Sequence, residues 1–162
     1  GDFTLDMYGW RKIKPEFQEI RQCAIDNDLM KESDGMVALK WYPLANLDYY
    51  VAYPLGIDMY GFRDPSKIHK YAWINKERGG LKLGEDYWFL TESFDYYEPD
   101  KYLKPYFNEV IPIDTINIET MVDYFKELLK KEIVIKINRE YCVNDLEIIN
   151  DCNKKNIKTS KN

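Results

Sequence analysis

Met36-Val37-Ala38-Leu39-Lys40-Trp41 is a short apolar run that follows a Ser33-Asp34-Gly35 turn and stops before Pro43. A run of that length between turn residues reads as a strand buried on both faces. Such strands belong to parallel sheets with helices packed against them, so the segments on either side decide the fold. Upstream, Phe17, Ile20, Ala24, Ile25 and Leu29 recur at helical spacing. Pro15 suits a first helical position, which predicts an amphipathic helix over 15–31. Downstream, Leu47, Tyr50 and Val51 share one face of a short helix over 44–53, closed by Pro54 and Gly56.

The alternation continues. Met59-Tyr60-Gly61-Phe62 reads as a second strand, and Asp64-Pro65 as an N-cap followed by proline at the first helical position. That helix runs through Ile68, Tyr71, Ala72 and Ile74 to a stop at Gly79-Gly80. A third strand covers 86–91, with Tyr87-Trp88-Phe89-Leu90 at its centre, and a helical turn lies near 100–106. Residues 110–118 alternate apolar and polar around Pro112, which confines them to an edge or bulged strand. A helix follows over 119–131, where Met121, Val122, Phe125, Leu128 and Leu129 share a face. Two β segments, 132–137 and 143–149, join near Tyr141. Strands alternating with helices predict an α/β fold: three layers, a mostly parallel sheet with helices on both faces, and room for a C-terminal β-hairpin. Strand order is not set by this pattern.

The 162 residues suffice for one domain, read here as 1–153 with a disordered Lys-rich tail over 154–162. Hydrophobic residues at 45% and charged residues at 31% place the chain among globular proteins. A net charge of −5 argues against nucleic acid as a partner, because phosphate backbones need a dense cationic face. Fourteen tyrosines and four tryptophans exceed ordinary usage and suit half-buried surfaces and sugar platforms as well as cores. No stretch reaches the length of a membrane helix. The chain opens on Gly1-Asp2 and not on Met, which predicts a piece of a longer protein. Cys23, Cys142 and Cys152 lack metal-site spacing; a Cys142–Cys152 bridge across a terminal hairpin is one pairing open to them.

Chemistry-bearing patterns are sparse. His69 is the sole histidine, and no nucleophile elbow accompanies it, so no catalytic residue is assigned. No Asp/Glu group has calcium-loop spacing, and neither a metal nor another cofactor is expected. Gly79-Gly80-Leu81-Lys82-Leu83-Gly84 precedes a strand, whereas a phosphate loop follows one; it reads as a helix stop and turn. Glu92, Asp95, Glu98 and Asp100 interleave with Tyr96 and Tyr97 past the third strand. Paired carboxylates beside aromatics can hydrolyse glycosides, although acidic loops commonly do no more than meet solvent. His69-Lys70-Tyr71-Ala72-Trp73-Ile74-Asn75 mixes aromatics and an amide at helical spacing, which serves packing or sugar stacking.

Asp6-Met7-Tyr8-Gly9-Trp10 resembles the aromatic-glycine motif that follows the last membrane helix in bacterial relatives of the dolichyl-phosphate-mannose protein mannosyltransferases. Asn46-Leu47-Asp48-Tyr49-Tyr50, the 69–75 segment, Gly84-Glu85-Asp86-Tyr87-Trp88 and Ser93 follow in an order similar to their soluble C-terminal region. The likeness covers roughly residues 6–118 and leaves the 119–131 helix without a counterpart. It implies an accessory domain on the extracytoplasmic (periplasmic) face of the cell membrane. The parent would be a polytopic glycosyltransferase that moves sugar from a polyprenyl-phosphate carrier. The acidic catalytic residue of that family lies in a loop between membrane helices and matches no position here. Implied partners are the transmembrane portion of the parent and a saccharide or polyprenyl-phosphate sugar. Asn46, Asp48, His69, Trp73 and Asn75 are the candidate ligand-binding residues, Trp73 by stacking and the others by hydrogen bonds. The alternatives are a free-standing flavodoxin-like or nucleotide-binding module and a small glycosidase built on Glu92 and Asp95.

Overall fold

The computed structural model describes residues 9–92, 99–118 and 131–138. The 119–131 helix (but for its last residue), the 143–149 strand, Cys142, Cys152, Ser93, the first residues of the 6–10 motif and the Lys-rich tail lie outside them.

The first helix, α1 (Trp10–Asp26), starts five residues before Pro15, so the proline sits inside it. An interior proline gives up one backbone hydrogen bond and crowds the preceding turn. The helix tolerates this because Trp10, Ile13, Phe17, Ile20 and Ala24 form one continuous buried stripe. Each large apolar side chain so buried contributes about 1.5–3 kcal/mol. The helix stops at Asn27, whose side-chain amide donates to the Cys23 carbonyl at 2.7 Å.

Strand β1 (Gly35–Ala38) leads directly into α2 (Trp41–Leu47), which continues as a π-helical turn over Asp48–Ala52 and a 3₁₀ turn over Tyr53–Leu55. Pro43 does not end the strand here; it lies in the first turn of α2, where its missing N–H has no intrahelical partner to lose. After β2 (Met59–Gly61), the predicted single helix is two: α3 (Pro65–Ile68) and α4 (Tyr71–Glu77). They break at His69, whose φ of 50° and ψ of −121° no helix accommodates. Strand β3 (Tyr87–Glu92), the short α5 (Pro99–Leu103), β4 (Ile111–Ile118) and β5 (Lys131–Asn138) complete the described chain.

The five strands form one sheet in the order β2-β1-β3-β5-β4. β1 is parallel to both β2 and β3, which gives the three-stranded parallel unit of an α/β fold. β5 runs antiparallel to β3 and to β4. β4 is the edge strand that Pro112 requires, and its register shifts between Pro112 and Asp114. Alternate residues of the parallel strands feed two apolar clusters. Met36, Ala38, Met59, Trp88 and Leu90 pack with α1, α2 and the 48–52 turn; Val37, Leu39, Tyr60, Tyr87 and Phe89 pack with Leu103. Trp88 and Phe17, both fully buried, meet edge to face with centroids 5.2 Å apart.

At Gly61 two helices crowd against the sheet. A Cβ there would stand 2.9 Å from Ile68 and from a Leu44 methyl group, so only glycine fits.

Candidate functional site

Helix α4 is built around the outer edge of β2. The Asn75 side chain accepts a hydrogen bond from the Gly61 N–H at 3.0 Å and donates one to the Gly61 carbonyl at 2.7 Å. One turn later, Arg78 donates to the Met59 carbonyl at 2.7 Å. Two side chains spaced i, i+3 thus satisfy backbone groups that a neighbouring strand would otherwise take. Arg78 also forms an ion pair with the buried Asp48 at 3.0 Å, and Asp48 accepts the Tyr71 hydroxyl at 2.7 Å. Burial first, and then the hydrogen bond to Asp48, raise the Tyr71 phenol far above its ordinary pKa.

The candidate binding residues therefore do not converge. Asp48 is buried within the network just described, and Asn46 donates to the Tyr42 carbonyl at 3.1 Å inside its own helix. Asn75 lines a cleft, but with both ends of its amide engaged on Gly61. Trp73 is 67% exposed. His69 lies at the surface with its ring 5.5 Å from that of Trp41, tilted by 30°. Its left-handed backbone is costly for a residue with a Cβ, by about 1–3 kcal/mol.

The cleft itself opens at the carboxyl end of β2 and has a volume of about 600 Å³. Loops at carboxyl ends of strands are where open α/β sheets hold ligands, and 300–1,000 Å³ is the usual range for such pockets. Phe62, Tyr102 and Tyr106 line it together with Arg63, Asp64, Ile68 and Ala72. Phe62 meets Tyr106 edge to face at 5.1 Å, and Tyr106 stays 74% exposed, with a face available for stacking. The Arg63 guanidinium lies 4.4 Å from the Tyr102 ring centre. Asp64 caps α3, accepting from the backbone N–H and the hydroxyl of Ser66. That Ser66 hydrogen bond, with help from the Arg63 and Lys67 charges, lowers its carboxyl pKa below the ordinary value.

Sequence reasoning missed Phe62, Arg63, Tyr102 and Tyr106. The signal for the first two was present: they directly follow the second strand, the position where strand-end loops bind ligands. The same rule also points to the acidic loop after the third strand, whose residues 93–98 lie outside the described ones. Tyr102 and Tyr106 reach the cleft from a distant part of the chain, which no local pattern reveals.

Two other hollows are smaller. The crevice between the carboxyl ends of β1 and β3 is lined by Leu39, Lys40, Pro43 and Thr91 among others, and offers about 20 Å³ among the described residues. At the opposite end of the strands, Asp34, Asp58, Tyr60, Lys82, Glu85 and Tyr87 surround about 120 Å³. Burial raises the phenol pKa of Tyr60, with the nearby Asp58 adding to it, and burial likewise raises that of Tyr87. Among the described residues no group of three or more His, Cys, Asp or Glu could hold a metal ion, and no helix is long and apolar enough to cross a membrane. Cys23 is disulfide-bonded; Cys142 and Cys152, and with them the pairing left open between the two, lie outside the described residues.

Comparison of the chain with known protein families, with characterised proteins and with solved structures finds no match.

Proposed function

We propose that this chain is a non-catalytic accessory domain of a polytopic membrane glycosyltransferase, on the extracytoplasmic face, and that its cleft holds a saccharide of the acceptor or of the polyprenyl-phosphate carrier. The observation that carries the proposal is the cleft at the end of β2. It combines the right volume, an exposed aromatic face at Tyr106, and polar groups at Arg63 and Asp64. Sugars are held by this combination, because C–H faces stack on rings while hydroxyls bond to charged and amide groups. The disulfide at Cys23 suits an oxidising compartment outside the cytoplasm. The sequence likeness over residues 6–118 supplies the parent enzyme. The same proposal includes a three-layered domain closed by a C-terminal hairpin, with apolar side chains on both faces of the parallel strands in its favour.

Isothermal titration of the chain with short oligosaccharides, neutral and charged, and with a polyprenyl phosphate tests the proposal. Saccharide binding in the micromolar to millimolar range is expected. No heat with any of them at millimolar concentration overturns the binding role, and turnover of a saccharide by the isolated chain overturns the non-catalytic one.

One observation favours a second reading. The order β2-β1-β3 places a reversal of strand order at β1/β3, where doubly wound nucleotide-binding proteins hold their ligand. Among the described residues the crevice there offers about 20 Å³, far below the roughly 300–1,000 Å³ of ligand pockets. That weighs against a nucleotide at this point. A flavin or nucleotide absorbance co-purifying with the chain would reverse the preference.

A further inference from the structure

Resting on the saccharide reading of the β2 cleft, we infer that its ligand is anionic: a sugar bearing a phosphate or carboxylate that Arg63 binds, with the ring of the sugar against Tyr106. Two of the polar side chains that line the cleft are already engaged. Asn75 has its oxygen and its nitrogen on the Gly61 backbone. Asp64 is held by Ser66 as the cap of α3, and its charge already sits beside those of Arg63 and Lys67. Arg63 differs from both. Its contact is with the Tyr102 ring, and among the described residues no carboxylate or carbonyl takes its N–H groups.

Arg78 shows what the other state of an arginine looks like in this fold, with donors on Asp48 and on the Met59 carbonyl. A guanidinium carries five donors arranged to fit the paired oxygens of a phosphate or carboxylate. Resting against a ring holds it in place and lowers the entropy lost when an anion arrives. Lys101 adds a second cation 5.6 Å from the same ring centre. Among the described residues, Lys67 adds its charge near Asp64 on the same side of the cleft as Arg63. A neutral sugar would leave the Arg63 donors to water; an anionic one would use them.

The test is titration of the full chain and of Arg63→Gln with four probes: a neutral hexose, the hexose 1-phosphate, the corresponding uronic acid and inorganic phosphate. The wild-type chain is expected to bind the sugar phosphate or the uronate at least tenfold more tightly than the neutral hexose, the gain that one charge-assisted contact supplies. Arg63→Gln is expected to erase that difference while leaving the melting temperature unchanged. Preference for the phosphate over the uronate, or the reverse, identifies the source of the charge, and either supports the inference. Equal binding of neutral and charged sugars, unaffected by Arg63→Gln, overturns it while leaving the saccharide cleft standing. Inorganic phosphate binding as tightly as the sugar phosphate, or no sugar binding at all, overturns the saccharide reading together with it.

Discussion

Two groups of side chains around β2 use similar chemistry to opposite effect. In one, Asn75, Arg78, Asp48 and Tyr71 are locked to one another and to the backbone of an edge strand. In the other, Phe62, Arg63, Tyr102 and Tyr106 meet mainly through ring contacts and surround open volume. Both sets mix amides or cations with aromatics, the combination associated with sugar recognition. What separates them is that Asn75, Arg78, Asp48 and Tyr71 spend hydrogen bonds inside the fold, whereas among the described residues Arg63 meets only a ring. A polar group engaged inside the fold holds the edge strand in place; one left over is available to a ligand.

The comparison predicts large stability effects in the first group and small ones in the second. Asp48→Ala leaves the Arg78 guanidinium mostly buried without its counter-charge, and a loss of about 3 kcal/mol is expected from urea unfolding. Asn75→Ala orphans the Gly61 N–H and carbonyl together, for about 2 kcal/mol, with faster hydrogen exchange at Gly61 as its local signature. His69→Gly relieves the left-handed backbone and is expected to raise stability by about 1 kcal/mol. Binding that survives the change would show that the strained histidine is not needed for the ligand.

Tyr71 gives a dependence on pH. The unfolded phenol ionises near its ordinary 10.0, while burial and then the Asp48 hydrogen bond keep the folded one protonated well above that. Its contribution is therefore fully present below pH 10 and lost as the pH climbs toward the folded value. Tyr71→Phe is expected to flatten the fall in melting temperature measured between pH 9 and 11. The smallest effect belongs to the cleft: Arg63→Gln should change unfolding stability by less than about 0.5 kcal/mol.

Much of the architecture was legible in the sequence because burial imposes periodicity. The strands at 36, 59 and 87, the Asp64 cap and the edge position of the Pro112 strand follow from apolar runs and backbone rules that act locally. The misplaced boundaries are at prolines. Local rules make Pro15 a helix start and Pro43 a strand stop, yet tertiary burial of Trp10 and Ile13 carries α1 past the first, and the first turn of α2 absorbs the second. The break at His69 had no local signal, because a positive φ is uncommon for any residue that carries a Cβ. The site was harder still. Asp48 and Asn75 look like ligand groups in one dimension, and only the fold brings Tyr71, Arg78 and Gly61 within bonding distance of them. Arg63 carries no motif, and the feature that distinguishes it is the lack of an acceptor among the described residues, which no sequence displays.

Mapping amide shifts in a ¹H–¹⁵N spectrum of the chain during titration with a charged oligosaccharide tests the division between the two groups most directly. Saturable shifts confined to 61–64 and 102–106, with 46–48 and the exposed face around Trp73 unmoved, are the predicted result. Shifts centred on Trp41, His69 and Trp73, with the β2 cleft silent, would contradict it.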